Sequence, residues 1–176
     1  TSSDIIKFTP ASLGANTAGT WSFYFDGSDV GLTTTSENID ALAVLPDGKL
    51  LISTTGDPSV TGLSGLTDDD LIQFTPTILG ATTAGTWAYY FDGSDVGLTT
   101  TNEDVDAVAR TSDGRLLLST LGSFSVTGVS GADEDVLQFT PTSLGSTTAG
   151  TYLMYLDLST KGIATTANVN AVEIVE

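Results

Sequence analysis

The chain has no cysteine and no histidine. Without cysteine there is neither a disulfide framework nor a thiolate zinc site. Without histidine there is no imidazole ligand and no imidazole base, which removes most transition-metal chemistry and the usual serine-hydrolase triad. Basic residues are scarce too: Lys and Arg total 5 against 22 Asp and Glu, for a formal charge of −17. Phosphate recognition needs cationic partners, so nucleic acid, anionic membranes and phosphate-rich ligands are disfavoured. Cations and basic proteins are the partners that suit such a surface. No apolar run approaches the roughly 18 residues of a membrane span, and no charged segment leads into an apolar one as in a signal peptide.

What is present is a hydrophobic fraction of 40% over 176 residues, enough to bury a core, and an internal repeat. Ile5-Ile6-Lys7-Phe8-Thr9-Pro10 returns as Leu71-Ile72-Gln73-Phe74-Thr75-Pro76 and as Val136-Leu137-Gln138-Phe139-Thr140-Pro141, so the phenylalanines lie 66 and 65 residues apart. Gly19 to Leu32 matches Gly85 to Leu98 at nearly every position, and Asp40-Ala41-Leu42-Ala43 matches Asp106-Ala107-Val108-Ala109. The chain reads as a single repeat domain over 1–176, with units 4–69, 70–134 and a partial 135–176.

Each unit holds four stretches of strand character. In the second unit the first is the Leu-Ile-Gln-Phe-Thr stretch before Pro76. The second is Thr86 to Phe91, where Trp87, Tyr89 and Phe91 alternate onto one face. Val105 to Arg110 and Arg115 to Thr120 flank the turn Ser112-Asp113-Gly114, which reads Pro46-Asp47-Gly48 in the first copy. Proline presets φ for turn entry and glycine accepts positive φ, so both read as hairpin turns. Ser/Gly-rich connections follow, Gly56 to Thr67 and Gly122 to Ala132, without structure of their own.

Four antiparallel strands repeated head to tail predict an all-β fold of β-propeller-like, four-stranded antiparallel blades, with a β-sandwich or β-solenoid as the alternative. With blades started at the third stretch, the chain is a half blade, two full blades and a final strand over Val169 to Val175. Roughly eleven strands do not close a ring of the usual four to eight blades, and exposed strand edges invite pairing. The expected partners are therefore other copies, or remaining blades of the same protein, rather than an isolated closed monomer.

Pro46-Asp47-Gly48-Lys49-Leu50-Leu51-Ile52-Ser53-Thr54 resembles the inner hairpin of SMP-30 and NHL-type propellers. More closely, Phe139 to Gly145 (FTPTSLG), Gly85 to Leu98 (GTWAYYFDGSDVGL) and Asp113 to Thr120 (DGRLLLST) resemble tandem repeats of large secreted bacterial surface proteins, over about the first 150 residues. That resemblance implies an extracellular or cell-surface, non-enzymatic structural or adhesive role.

The best candidate for chemistry is acidic. Asp26-Gly27-Ser28-Asp29 followed by Glu37 and Asp40 recurs as Asp92-Gly93-Ser94-Asp95 followed by Glu103, Asp104 and Asp106. Calcium takes six to eight hard oxygens in irregular loops, so the candidate metal ligands are Asp26, Asp29, Glu37 and Asp40, with Asp92, Asp95, Glu103 and Asp106. The third copy keeps Asp157 but has Asn168 and Asn170 where Asp104 and Asp106 would stand, so the acids are lost as a group. Turn formation and solubility are the plainer reading of the same residues. A second cluster, Asp68-Asp69-Asp70 and Asp133-Glu134-Asp135, reads first as protection of a sheet edge and second as a contributor to a cation site.

Trp21, Phe23 and Phe25, with Trp87, Tyr89 and Phe91, read as core. No catalytic constellation stands out, because each acidic pair occurs twice in equivalent settings. The alternatives to a structural or adhesive module are a propeller hydrolase of lactonase or phosphoesterase type and a lectin whose repeated sites bind an extracellular glycan.

Overall fold

The computed structural model describes residues 1–174, whose regular structure is almost entirely strand. In chain order the strands are β1 (Ile5–Ser12), β2 (Ala18–Phe25), β3 (Ile39–Val44), β4 (Leu50–Thr54), β5 (Leu71–Ile78), β6 (Ala84–Phe91), β7 (Val105–Arg110), β8 (Leu116–Thr120), β9 (Phe124–Val126), β10 (Val129–Gly131), β11 (Val136–Ser143) and β12 (Ala149–Leu156). The fold is all-β, made of small antiparallel sheets. Two are four-stranded, with spatial orders β3-β4-β5-β6 and β12-β11-β8-β7, while β1 and β2 pair with each other alone. Each four-stranded sheet thus joins the second half of one unit to the first half of the next.

The local chemistry explains the strand ends. Leu45 and Lys49 close the β3–β4 hairpin, with the Leu45 N–H donating to the Lys49 carbonyl at 2.8 Å, and Gly48 takes φ +82° at the turn. A proline inside β5 is tolerated because pairing with β4 stops at Phe74, so Pro76 need not donate on that side. Across the strand pair, Pro76 faces Gly85, and the Phe74 ring lies where a Cβ on Gly85 would be. The same ring-over-glycine contact recurs between Phe8 and Gly19 and between Phe139 and Gly150.

The sheets are layered, with an apolar cluster in each gap. Phe25, Leu50, Ile52 and Phe74 fill the gap between the β1–β2 pair and the first four-stranded sheet. Leu51, Phe91, Leu116, Leu118 and Phe139 fill the gap between the two four-stranded sheets. Ala109, Leu117 and Val136 face Val169, Val172 and Ile174 beyond the second. The all-buried central strands β4 and β8 send alternate residues into the clusters on either side, as period-2 geometry requires. Equivalent edge-to-face ring pairs hold the first two gaps, Phe25 on Phe74 at 5.2 Å and Phe91 on Phe139 at 5.1 Å.

Four expectations need correction. Of the aromatics expected in the core, Trp21 and Phe23 are exposed, at 66% and 44%, while Phe25 is buried. The aromatic alternation in Thr86 to Phe91 does not hold to one face, because a register shift opposite Leu71–Ile72 inserts Tyr90. Trp87 and Tyr89 then join one cluster and Phe91 the next. The connection Gly122 to Ala132 is not structureless: it contains the β9–β10 hairpin, which buries Phe124 and Val126. Three-residue strands carry too short an alternation to read from sequence. Lastly, residues 169–174 form no strand, and Val175 lies outside the described residues. The strands β3 and β7 are held by β4 and β8, and 169–174 have no such partner segment among the described residues. They still begin as β7 does: the Val169 N–H donates to the Asp133 carbonyl at 2.9 Å, as the Val105 N–H does to Asp68 at 3.3 Å.

Candidate functional site

The eight candidate carboxylates separate into three environments. Asp26 and Asp29 lie in the short turn after β2. Asp26 caps it, accepting from the Ser28 N–H at 3.1 Å and the Ser28 hydroxyl at 2.6 Å. Asp29 accepts the Thr83 N–H from the next unit at 2.8 Å, and the Thr83 Oγ1 accepts the Asp26 N–H at 2.8 Å. In the second unit Asp92 accepts from the Ser94 hydroxyl and the Asp95 N–H, Asp95 accepts the Thr148 N–H, and Thr148 Oγ1 accepts the Asp92 N–H. These turn acids fasten one sheet to the tip of the next.

Glu37 and Glu103 are sealed. Glu37 Oε2 accepts the N–H groups of Thr33 at 2.6 Å and Thr34 at 2.7 Å, and Oε1 accepts that of Ser59 at 3.0 Å. Glu103 does the same with Thr99, Thr100 and Ser125. Burial alone would raise these carboxyls, but the converging N–H donors outweigh it and hold both below the usual glutamate range. Each ties its long connection back to the turn.

Asp40 and Asp106 belong to a third group, with Asp104 and Asp69, where the sheets meet. The N-terminal ends of β3 and β7 and the segment from Asn170 border a groove of about 350 Å³ lined by Asp40, Leu42, Ala107, Val108, Asn170 and Val172. Asp104, Asp106 and Asp69 are only 3%, 3% and 4% exposed. Buried oxygens on all four, Asp40 Oδ1, Asp69 Oδ2, Asp104 Oδ1 and Asp106 Oδ1, have no hydrogen-bond partner. Burial, followed by the charge of Asp104, pushes Asp40 up to about 8. Burial and the charges of Asp68 and Asp106 push Asp104 up to about 7. Burial and then Asp70 push Asp69 to about 7. For Asp106 burial reaches only about 6, because Asn168 Nδ2 donates to its Oδ2 at 2.8 Å.

The structure thus brings Asp40 and Asp106 to one seam and leaves Asp26, Asp29, Glu37, Asp92, Asp95 and Glu103 engaged in local bonds. Among the described residues no three such side chains stand close enough, as placed, to share one metal ion. Asp68-Asp69-Asp70 and Asp133-Glu134-Asp135 are also not an edge guard. Asp69, Asp70, Glu134 and Asp135 are buried, and Asp70 and Asp135 accept the N–H groups of Gly93 and Leu158. Asp69 comes from the acidic cluster read first as an edge guard, and Asp104, which the ligand set omitted, carries one signal: Asn168 replaces it when the group is lost.

No helix among the described residues is long and apolar enough to cross a membrane. Comparison of the chain with protein-family models, with curated proteins and with solved structures gave no match.

Proposed function

We propose that this chain is a non-enzymatic, extracellular structural or adhesive repeat module, built of propeller-type blades, stabilised by calcium and associating with further copies. The observation that carries the reading is that one inter-sheet seam is built twice with the same atoms, Thr83 on Asp26 and Asp29, then Thr148 on Asp92 and Asp95. A catalytic site needs a local departure from such equivalence, whereas a scaffold needs its repetition. The β3-β4-β5-β6 meander, with an apolar layer on each face, supports the blade reading over a closed sandwich or a solenoid.

Calcium enters through the buried acids Asp40, Asp69, Asp104 and Asp106. Four buried, unpartnered carboxylate oxygens lie where no lysine or arginine bonds to them, and a hard divalent cation would neutralise them without a precise cage. The test is thermal unfolding with millimolar calcium against chelator, combined with light scattering over a salt and calcium series. A higher unfolding midpoint and a larger mass with calcium are expected. No shift together with a monomer throughout would overturn the reading, as would turnover of lactones or phosphodiesters by the purified chain.

A further inference from the structure

Two grooves open in equivalent places, one beside each internal seam. The first, of about 780 Å³, lies between the turn after β2, the loop at Thr61, and the start of β6 as far as Trp87. The second, of about 470 Å³, lies between the turn after β6, the β9–β10 loop at Thr127, and the start of β12 as far as Tyr152. Both fall in the range of small-ligand sites, about 300–1,000 Å³. Across the repeat Asp29 corresponds to Asp95, Thr61 to Thr127 and Thr86 to Thr151.

Part of each polar wall is spent on the seam. Asp29 Oδ2 accepts the Thr83 N–H, and Asp95 Oδ2 accepts that of Thr148, both at 2.8 Å. What remains is an exposed set: the Oδ1 atoms of these two aspartates and the hydroxyls of the four corresponding threonines, which make no hydrogen bond among the described residues. Beside them stands a fixed aromatic ring. Trp87 is half-buried, its Nε1 donates to the Val30 carbonyl at 2.9 Å, and it packs on Phe74 at 4.7 Å, so the indole is oriented before any ligand arrives. No lysine or arginine lines either groove, so an anion would meet no counter-charge in a chain of −17. A basic peptide would call for several carboxylates, and each groove has one. One carboxylate acceptor, hydroxyls that donate or accept, and a held ring complement a neutral sugar, whose hydroxyls do both while its C–H face lies on the ring.

We propose that the two grooves are binding sites for neutral saccharides, which makes glycan the ligand of the adhesive module. The inference rests on the adhesive reading and gives it a ligand class. The two sites are not equal. Tyr152 stands in place of Trp87, and its buried hydroxyl has no hydrogen-bond partner, so it lacks the tether that the indole has on Val30. The second groove is also the smaller. The Trp87 groove is therefore the tighter site. Two sites on one chain gain avidity on a glycan that presents its sugar repeatedly.

The test applies the full chain to an array of neutral, sialylated and sulfated oligosaccharides, with a lysine-rich peptide alongside. Retention of neutral glycans and rejection of the rest is expected. Asp29→Asn combined with Asp95→Asn keeps an oxygen for the Thr83 and Thr148 N–H groups, so the parent circular dichroism is retained. Affinity for the retained glycan falls about tenfold or more, as for a lost hydrogen bond to a charged acceptor. Thr86→Val with Thr151→Val, near-isosteric changes at exposed strand positions, lowers it less. In a Trp21→Phe background Trp87 is the single tryptophan, and its emission shifts on binding. The sites are overturned if no neutral glycan is retained, if only the anionic glycans or the peptide bind, or if retention is undiminished in both double variants with Trp87 emission unchanged. Calcium stabilisation and mass in solution are followed on the same sample. If both persist without glycan binding, the structural module stands and only the saccharide sites fall; if neither appears, the module reading falls on its own test.

Discussion

Glu103 and Asp104 are neighbours in the chain and nearly equally buried, at 5% and 3% exposed, yet their carboxyls respond to burial in opposite directions. Glu103 collects three backbone N–H donors and is held anionic. Asp104 looks across the seam at Asp40, has an oxygen with no partner, and is pushed toward the neutral form. Burial therefore does not set the state of a carboxyl here; the supply of donors does. The loops around Glu37 and Glu103 are locked by charge, and the seam around Asp40 is loosened by it. One unit later the same seam is relieved, because Asn168 offers an amide to Asp106 where Asp104 offers only another carboxylate to Asp40.

The largest effect that would sharpen this contrast is at the locked site. Glu103→Ala strips the acceptor from the N–H groups of Thr99, Thr100 and Ser125 and is expected to cost about 3–5 kcal/mol, since each orphaned buried donor is worth about 1–3 kcal/mol. Urea unfolding measures it. Asp95→Ala, which frees only one seam N–H, should cost markedly less, and equal losses would break the distinction between a lock and a fastening.

Next comes pH. The seam carboxyls have raised folded-state values, about 8 for Asp40, about 7 for Asp69 and Asp104, and about 6 for Asp106. The native state therefore holds more protons than the unfolded chain between the usual aspartate range and about pH 8, and stability falls as pH rises through that window. Glu37 and Glu103 are lowered, so their contribution is present above the ordinary glutamate range and is lost as pH falls below it. The two opposing slopes place the maximum near pH 5. The unfolding midpoint there should exceed that at pH 8.5 by roughly 5–10 °C, the scale of a few kcal/mol in a chain of this size. A flat profile between pH 5 and 8.5 would mean that the seam acids are not buried together.

Much of this architecture was open to reading in the sequence. The repeat exposed the strands, the Asp-Gly turns located the hairpins, and the pairing of half units into sheets followed from strand order. What was not legible has a physical cause in each case. The bulge at Tyr90 changes the face of Phe91 without changing the alternation of residue types. The β9–β10 hairpin is too short to show a period. The site was misgrouped because sequence spacing brought Asp26 and Asp29 to Asp40, whereas the fold returns Asp40 to Asp104, one unit on. Only the joint replacement by Asn168 and Asn170 pointed to the seam, and that signal tells which acids act together without telling where.

A smaller effect of opposite sign follows from the Asn168 bond. Asp104→Asn would give Asp40 the amide donor that Asp106 already has, and is expected to stabilise the chain by about 1–2 kcal/mol at pH 8, the worth of a hydrogen bond to a charged group. The gain should vanish near pH 5, where the parent pair is already protonated. Calcium should then shift the midpoint of the variant less than that of the parent. Destabilisation at pH 8 would show that Asp104 has a use that the Asp40 pairing does not describe.

The smallest expected effect tests where calcium acts. Asp26→Asn keeps a side-chain oxygen to cap the Ser28 N–H, and asparagine caps nearly as well as aspartate, so stability should change by only a few tenths of a kcal/mol. The Asp26 N–H still reaches Thr83, and Asp29 still accepts from Thr83, so the fastening between sheets survives. The variant removes one negative charge from the turn and leaves Asp40, Asp69, Asp104 and Asp106 unchanged. If the cation neutralises Asp40 and Asp104, the calcium-induced rise in the midpoint of Asp26→Asn equals that of the parent, while Asp104→Asn loses much of it. If instead the rise disappears in Asp26→Asn and persists in Asp104→Asn, the ion belongs to the turn, as residue spacing alone suggests, and the unpartnered seam oxygens have another role.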